Sequence, residues 1–373
     1  MADVRTDRQR RALVALWAIP GVGPKAVQAL REATSGDLST LLEAPASAWM
    51  GLIRLPQAVR RRLSEVAGLE AVADTILGRA RKAGMGIAFP GDAAFPERLV
   101  GLEDAPPLLF HLGTPGVPRR RLAMVGSRHP DTGFLPFARR FAREVADLGL
   151  GIVSGAAEGV DRACHWGALD AGMETWAFLG SALDELDPAQ ARLLPYFLEK
   201  GGVFYSELPP GVRASTRTFP RRNRLISGAS DAVLILRAGE RSGSLHTALA
   251  ALGQGRPLLA LPGEVGNEAA AGCNALIRSG RASLCLAAED ACRAVGISPR
   301  LLMKTAQPER AASVEGLSAE ARVAYAALDR RPKGFDEVLA GCRLPSGALT
   351  SALCELELWG LVIQHPGKLY EKV

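Results

Sequence analysis

Residues 122–128, LAMVGSR, form an apolar run that stops at a glycine and a serine. The same pattern returns at residues 151–161, GIVSGAAEGVD, and at residues 232–244, AVLILRAGERSGS. A buried parallel strand that breaks at glycine and restarts as a helix leaves backbone N–H groups and a helix N-terminus at one edge of a sheet. The three turns therefore predict a Rossmann-like, doubly wound α/β sheet whose carboxyl edge is suited to phosphate groups.

The three turns lack the residues that would break a phosphate bond. None ends in the lysine–serine pair of a nucleotide-hydrolysing phosphate loop, and none is a clean G-x-G-x-x-G dinucleotide motif. No serine in them has a recognisable histidine–acid relay nearby. We therefore expect a binding protein that is not an enzyme and uses no cofactor.

Composition limits the class of protein further. The chain has 373 residues, of which 48% are hydrophobic and 23% charged, enough for two or three domains with buried cores. It begins with a charged segment and has no apolar stretch near the length of a membrane span, so we expect a cytoplasmic protein without a membrane partner. Its six cysteines and five histidines are dispersed, which argues against a metal site or a disulfide framework.

The positive charge is concentrated at the front of the chain. Residues 1–84 hold 13 lysines and arginines against 8 acidic residues, residues 85–300 hold 23 against 22, and residues 301–373 hold 9 against 9. This excess suggests a polyanionic partner, although it also fits a solvated helix face.

Residues 11–33, RALVALWAIPGVGPKAVQALREA, have helical spacing on both sides of a glycine-rich turn. This helix-hairpin-helix pattern predicts an N-terminal helical, SAM-like domain over residues 1–84. Gly21 and Gly23 would let backbone N–H groups approach a nucleic-acid phosphate, and Lys25 would open the second helix. The alternative is a packing module whose hairpin touches no DNA. A weaker echo at residues 54–68 would be a second hairpin.

The rest of the chain divides into three parts. Residues 85–298 alternate short β-branched runs with helical stretches and are predicted to form the Rossmann-like domain. Residues 299–316 are predicted to be a linker, and residues 317–373 a winged-helix domain of three helices and a hairpin. The third of these helices, 346–359, contains Glu355 and Glu357 but no lysine or arginine, so we expect it not to read duplex DNA.

Two of the strand-to-helix turns are candidate phosphate sites. In the first, Gly126 permits a tight turn, the Ser127 hydroxyl donates a hydrogen bond, and Arg128 offers a bidentate fork. The second carries Ser154, Gly155 and Gly159. Two further residues of the second turn are predicted to be structural: Asp161 as a helix cap and His165 as a buried hydrogen-bonding side chain.

A second cluster of donors follows Phe219-Pro220. Three arginines and an asparagine in succession would supply cations for a backbone, and the adjacent ring would supply a face for a base, as a single-strand groove requires. These donors are Arg221, Arg222, Asn223 and Arg224. The alternative is a salt-bridged helix start. The third turn adds hydroxyls and another helix N-terminus through Ser242, Gly243 and Ser244.

Taken together, these segments resemble the DNA-processing protein A (DprA/Smf) family. The resemblance covers about residues 95–285 and includes VGSR, SGAAEGVD, GGVFYSELPPG, FPRRNRLISG, SGSLHTA and GCNALIRSG, in that order. It implies a protein that binds single-stranded DNA without sequence preference, dimerises, and loads a RecA-type recombinase in natural transformation. It also leaves room for a single-strand-binding protein as a partner. The family's DNA pocket would fall on Gly126, Ser127, Arg128, Ser154, Gly155, Gly159, Arg222, Asn223, Arg224, Ser242 and Gly243.

The chain departs from the family where a charge would matter. Glu158 stands in a proposed phosphate turn where the family usually has arginine, and Arg237 stands where the family usually has glutamate. We expect the two to form a reversed charge pair, because a carboxylate facing a phosphate is unfavourable.

Two other functions fit the same sequence. A Rossmann-type nucleotide phosphoribohydrolase would need an acidic residue beside a Pro-Gly-Gly motif; Glu264 follows Pro262-Gly263, but the second glycine is missing. A protein-interaction scaffold with an inert sheet would retain no DNA at low salt.

Overall fold

The computed structural model describes most of the chain in two compact units. Contacts between Cα atoms divide the chain into Met1–Leu302 and Met303–Val373. The described residues are 6–45, 57, 60, 61, 68–116, 120–131, 133–297, 317–329, 331–358, 361–365, 367 and 369–372. The predicted linker lies outside them, as does most of the predicted second hairpin. The proposed boundary at residue 84 inside the first unit stays a prediction.

The first unit opens with a helical module that is fused to the sheet by a shared core. Within the described residues its helices are α1 (Asp7–Ala18), α2 (Pro24–Ala33), α3 (Thr40–Glu43) and α4 (Leu69–Lys82). The Thr6 hydroxyl caps α1 by accepting from the Gln9 N–H at 3.2 Å. Leu13 and Leu30 are buried in the same apolar cluster as Phe110 and Phe204 of the sheet. The helical module and the sheet therefore fold around one continuous hydrophobic core.

A nine-stranded sheet forms the centre of the first unit. Its strands are β1 (Gly86–Ala88), β2 (Leu109–Leu112), β3 (Arg121–Gly126), β4 (Gly151–Ser154), β5 (Thr175–Phe178), β6 (Val203–Ser206), β7 (Ala232–Arg237), β8 (Leu258–Ala260) and β9 (Ser283–Leu284). Their order is β1-β2-β6-β5-β4-β3-β7-β8-β9. The strands from β6 to β9 are parallel, and β1 and β2 extend that sheet in antiparallel pairing. Sequence periodicity did not reveal this extension, because strands of three and four residues carry little pattern.

Helices cover both faces of the sheet. They are α5 (Phe134–Asp147), α6 (Val160–Asp170), α7 (Pro188–Glu199), α8 (Thr218–Gly228), α9 (Ser244–Gly253), α10 (Ala271–Arg278) and α11 (Ala288–Ala294), with short 3-10 turns at Glu97–Leu99 and Glu268–Ala270. Along β3, Leu122 and Met124 pack with α5 and α6, whereas Ala123 and Val125 pack with α8 and α9. The predicted doubly wound fold is confirmed. None of the described helices is long and apolar enough to span a bilayer.

The strand order creates a switch point next to β3. On one side β3 pairs with β4, the next strand in the chain. On its other side β3 pairs with β7, where Leu122 lies opposite Ala232. The loops that leave β3 and β7 therefore diverge towards opposite faces. A crevice opens between them at the carboxyl edge, the usual position for a ligand in this class of sheet.

The second unit is a winged helix, as the sequence predicts. Its helices are α12 (Ala319–Ala327), α13 (Phe335–Cys342) and α14 (Ser346–Leu358), and its strands are β10 (Lys333–Gly334), β11 (Val362–His365) and β12 (Leu369–Lys372). The Ser318 hydroxyl donates to Glu355 Oε2 at 2.6 Å and accepts from the Ala321 N–H at 3.1 Å, which ties the start of α12 to α14. One of the two acidic residues of the third helix thus has a structural role.

Candidate functional site

The crevice between the ends of β3 and β7 gathers half of the predicted residues. It has a volume of about 650 Å³, within the range of small-molecule sites. Separate segments contribute to its lining, so the fold brings together residues that are more than a hundred positions apart in the chain. The predicted residues in the lining are Gly126, Ser127, Arg128, Arg222, Asn223, Ser242, Gly243 and Ser244.

Arg128 and Phe219 form a cation and ring pair on the crevice wall. The Arg128 guanidinium carbon lies 4.8 Å from the centroid of the Phe219 ring. Phe219 is held closely, because a Cβ on Gly180 would come within 2.9 Å of its Cδ1. Arg128 is exposed, and it forms no ion pair with any residue that the structure describes; the same is true of Arg241 across the crevice. Both charges are free to meet an anion.

Hydroxyl groups and a helix N-terminus form the opposite rim. Ser242 Oγ and Ser244 Oγ lie 2.8 Å apart, where α9 begins. Ser127 Oγ, on the β3 side, accepts from the His129 N–H at 3.1 Å. The Asn223 amide donates to the Gly243 carbonyl at 3.4 Å and so joins α8 to this rim. Serine hydroxyls beside a ten-residue helix N-terminus are suited to phosphate oxygens.

The second turn is built for packing instead of ligand contact. Ser154 is fully buried and its hydroxyl donates to the Met124 carbonyl at 2.6 Å. A Cβ on Gly155 would lie 2.7 Å from the Arg222 guanidinium. A Cβ on Gly159, where φ is +86°, would lie 2.4 Å from the Arg128 carbonyl oxygen. The expectation that these three residues contact phosphate is corrected. Ser154 is buried, and the two glycines are needed because Arg222 and the loop at Arg128 pack directly against them.

Arg222 and Asp161 are buried side chains of opposite charge that both line the crevice. Arg222 is 4% exposed, and one guanidinium nitrogen donates to the carbonyls of Gly155, at 2.7 Å, and Phe178. Burial lowers the pKa of Arg222 to about 10, while Asp161 favours its charged form. Burial raises the pKa of Asp161, which accepts from the N–H groups of Gly126 and Gly155. The two residues organise the loops, and contact between Arg222 and a phosphate stays a prediction. The expectation that Asp161 is a helix cap is wrong, because its carboxylate accepts from the N–H groups of Gly126 and Gly155 in the loops.

The other two arginines of the α8 cluster point away from the crevice to a buried carboxylate. Arg224 pairs with Glu207 through its terminal nitrogen, and its Nε lies 3.2 Å from Asp104. Arg221 Nε lies 3.2 Å from the other Glu207 oxygen. The side chains of Arg224 and Glu207 are only 12% and 3% exposed. The expected row of four free donors is therefore corrected: the alternative of a salt-bridged helix describes Arg221 and Arg224.

The predicted hairpin contacts lie apart from the crevice. Gly21 has φ +95°, so its turn does need glycine, whereas Gly23 is extended with open space at its Cβ position. Lys25 Nζ lies 3.3 Å from Glu103 Oε1, with both side chains 87% exposed. Such an exposed pair is weak and would exchange readily for a phosphate. Lys25 lines a different cavity, of about 950 Å³, between α2 and the segment 90–107.

The expected pair between Glu158 and Arg237 is wrong. Arg237 Nε lies 3.1 Å from Asp131 Oδ1, and its guanidinium carbon lies 4.1 Å from the Phe134 ring centroid. The Asn267 amide donates to the other Asp131 oxygen at 3.1 Å. Glu158 is exposed and forms no ion pair with a described residue. Asp131, in the loop that follows β3, is therefore the carboxylate that pairs with Arg237.

His165 has the structural role that the sequence predicts. Its Nε2 accepts from the Ala156 N–H at 3.3 Å, and its Nδ1 lies 2.7 Å from the Thr175 hydroxyl. That hydroxyl donates to the Ile152 carbonyl at 3.0 Å, so Nδ1 carries the proton and the ring is neutral. Burial lowers the pKa of His165 to about 3. The ring thus fastens the second turn to β5.

Sequence reasoning left out several residues that line the crevice, among them Arg241, His246 and Glu268. Arg241 directly precedes the predicted Ser242, and that position was the available signal. Glu268 comes from a distant loop and could not be placed without the sheet topology. Among the residues that the structure describes, no group of three histidine, cysteine or acidic side chains is placed to hold a metal ion.

Comparison with known proteins gives two matches to described families. The model of the DNA recombination-mediator protein A family matches residues 86–296. The model of the DprA winged helix domain matches residues 308–368. Together they span the sheet and the winged helix.

Individual relatives are similar over different shares of the chain. Protein Smf of Synechocystis sp. is 30% identical over 320 residues, which are 76% of this chain and 79% of that protein. Protein Smf of Escherichia coli is 41% identical over 194 residues, or 51% of this chain and 52% of that protein. The solved structure of DNA processing protein A from Streptococcus pneumoniae has a TM-score of 0.60 and 27% identity, covering 77% of this chain and 95% of that chain.

Proposed function

Because this chain belongs to the DNA recombination-mediator protein A family, we propose that it binds single-stranded DNA without sequence preference in the crevice between β3 and β7. The backbone phosphates would meet Arg128, Arg241 and the hydroxyls at the start of α9. A base would stack beside the Phe219 ring. Such contacts use the phosphates and the π-face that every nucleotide has, so they do not depend on sequence.

The free Arg128 guanidinium over the Phe219 ring is the observation that carries this proposal. It places an uncompensated cation and an aromatic side chain on one wall of a crevice that also has a helix N-terminus. Those are the parts that a single-strand groove combines. The arginines buried behind the wall set its shape.

The direct test is an electrophoretic shift with a single-stranded oligonucleotide against duplex and mononucleotide controls. We expect retention of the single strand, weaker retention of the duplex, and a strong fall with salt, with a slope of about −0.7 per neutralised phosphate in a logarithmic plot. Equal retention of duplex and single strand would contradict the proposal, as would no retention of either.

The chain would act as a mediator and not as an enzyme. In the alternative, a phosphoribohydrolase, Glu264 would have to serve as the acid, but that side chain is exposed and the crevice lining contains Glu268 instead. Incubation with nucleoside monophosphates separates the two functions. We expect no free base, and release of free base at a rate that scales with enzyme concentration would favour the hydrolase.

The proposed role is to load a RecA-type recombinase onto incoming single strands in the cytoplasm during natural transformation. This role rests on the family to which the chain belongs. A protein that binds single-stranded DNA and does not cleave it can transfer the strand to a recombinase. A single-strand-binding protein would be a further partner on the same DNA. Recombinase filament formation on strands coated with single-strand-binding protein is the measurement, and we expect this chain to accelerate it.

We also propose that the protein forms a homodimer through the sheet edge at β9. This strand ends the sheet, and Leu284 and Leu286 beside it are 47% and 67% exposed. Leu249, on α9, is 56% exposed and lines a shallow cavity with residues of α10. An exposed edge strand flanked by leucines is a surface that a second copy would cover.

A further inference from the structure

Helix α8 has functional residues on two of its faces. Phe219 and Asn223 line the crevice, at the end of the helix that is nearest the free Arg128. Arg221 and Arg224 lie on a different face and pair with Glu207. Any shift of α8 caused by the Glu207 contacts would therefore move the ring and the amide of the crevice.

Glu207 stands directly after β6 and is almost completely buried. Its two carboxylate oxygens engage one arginine each, so α8 is held at two points one helical turn apart. Its backbone carbonyl accepts from the Trp17 indole N–H at 2.5 Å. One residue thus joins the sheet, α8 and the N-terminal helical module.

Trp17 completes the connection from the helical module. Its ring is 6% exposed, and the Arg221 guanidinium carbon lies 5.7 Å from the ring centroid. Arg221 therefore touches both the indole and the carboxylate. The module is joined to Glu207 by a hydrogen bond and to α8 by a cation–π contact, and neither contact involves the hairpin turn.

We propose that Glu207 is a positioning residue through which the N-terminal helical module sets the affinity of the crevice for single-stranded DNA. The proposal rests on the proposed function and goes beyond it, since it gives the module a task that requires no contact between the hairpin and DNA. The module places Trp17 against Glu207, and Glu207 pairs with Arg221 and Arg224. These contacts fix the position of α8 and so the position of Phe219 in the crevice wall. Loosening this chain of contacts weakens binding without altering a DNA contact.

The sign of the effect separates positioning from simple electrostatics. Glu207→Gln keeps the volume and removes one negative charge from the unit that holds the crevice. General electrostatics predicts that this variant binds the polyanion more tightly. Positioning predicts the opposite, because a neutral amide cannot hold both guanidinium groups.

Asp92→Asn is the matched control. It also removes one negative charge from an ion pair between the helical module and the sheet, since Arg10 lies 2.6 Å from Asp92. That pair does not involve α8. Trp17→Phe is a second variant, which keeps the charge and the ring but loses the N–H group that Glu207 accepts.

The experiment measures the affinity for a fluorescent single-stranded oligonucleotide together with amide hydrogen exchange in residues 218–228. We expect Glu207→Gln to lower the affinity about fivefold, in the range of long-range couplings, and to speed exchange in α8. Trp17→Phe should act in the same direction. Asp92→Asn, which shares the charge change alone, should bind at least as tightly as the unmodified chain and leave exchange in α8 unchanged. Affinity in Glu207→Gln equal to or above that of Asp92→Asn, with normal binding by the unmodified chain, would overturn the positioning role alone. No binding by the unmodified chain would refute the proposed function and this inference with it.

Discussion

At the scale of single residues, glycines of similar appearance in the sequence have different tasks in the structure. Gly159 is required by its own backbone conformation and by the loop that packs against it. Gly243 has φ −60° and nothing within 4 Å of a Cβ. Both were predicted as phosphate contacts because a motif does not show which side of a turn faces solvent. Only the contacts in the fold separate the packing glycine from one that leaves room for a ligand.

Gly159→Ala should destabilise the protein strongly. The variant combines a left-handed backbone with a Cβ pressed against a carbonyl oxygen, so we expect the free energy of unfolding to fall by about 2–4 kcal/mol. Gly243→Ala is the control and should change it by less than about 0.5 kcal/mol. Urea denaturation followed by circular dichroism measures both. Equal stability of the two variants would contradict the packing role of Gly159.

The buried His165 predicts a pH dependence of stability. The pKa of His165 in the folded protein is about 3, below the ordinary value of 6.5. Between these two pH values the unfolded chain binds a proton at this residue and the native chain does not. The free energy of unfolding should therefore fall as the pH drops below 6.5, by at most about 1.4 kcal/mol per pH unit from this group. His165→Gln should lose that component of the slope between pH 6.5 and pH 4, and His246→Gln, which alters an exposed ring, should keep it. Parallel slopes in all three proteins would refute the role of His165.

At the scale of elements, α8 shows what the sequence could and could not predict. The sequence pattern predicted the start of this helix, the aromatic side chain of Phe219 and the cluster of donors at residues 221–224. The partners of those donors were not, because Asp161 and Glu207 are distant in sequence and reach α8 only through the strand order. The strands and their glycine turns were predictable, since a buried parallel strand has a strong apolar signal. Which charges remain free depends on tertiary pairing. Arg128 lines the crevice, and its contact with a phosphate stays a prediction.

Arg224→Ala should destabilise the protein more than Arg221→Ala. Arg224 is 12% exposed and pairs with the buried Glu207, whereas the Arg221 side chain is 45% exposed. Without Arg224, the buried Glu207 keeps only the half-exposed Arg221 as a partner, so we expect a loss of about 3 kcal/mol for Arg224→Ala and at most about 1 kcal/mol for Arg221→Ala. Chemical denaturation of the two variants is the measurement. A larger loss for Arg221→Ala would show that Glu207 depends mainly on the exposed partner.

At the scale of the whole molecule, the proposed activity lies at the carboxyl edge of one sheet, and the winged helix forms a separate compact unit. The third helix of that unit carries no lysine or arginine, and Glu355 is engaged with Ser318. A helix without basic side chains is poorly suited to the phosphates of duplex DNA. The apolar edge at β9 is at the other end of the sheet from β1, so a second copy there would leave the helical module uncovered.

The proposed dimer is tested by charge substitution at the sheet edge. Leu284→Glu should convert the dimer to a monomer, because a carboxylate would lose its hydration in the interface. Tyr196→Glu is the control, since that tyrosine is 59% exposed on α7, a helix that packs with Phe110 of β2 and Phe204 of β6. Light scattering gives the mass of each variant. A dimeric mass for Leu284→Glu, or a monomeric mass for the unmodified chain, would contradict the proposal.

The most direct measurement is the single-strand affinity of Arg128→Ala compared with Arg143→Ala. Both variants remove one exposed arginine from the same unit; Arg143 lies on α5 and pairs with Asp147 at 3.8 Å. Fluorescence anisotropy with a labelled oligonucleotide should show a loss of about tenfold or more for Arg128→Ala, with a shallower salt slope, because a phosphate contact is gone. Arg143→Ala should bind like the unmodified chain. Equal affinities and equal salt slopes for the two variants would contradict a strand bound in the crevice.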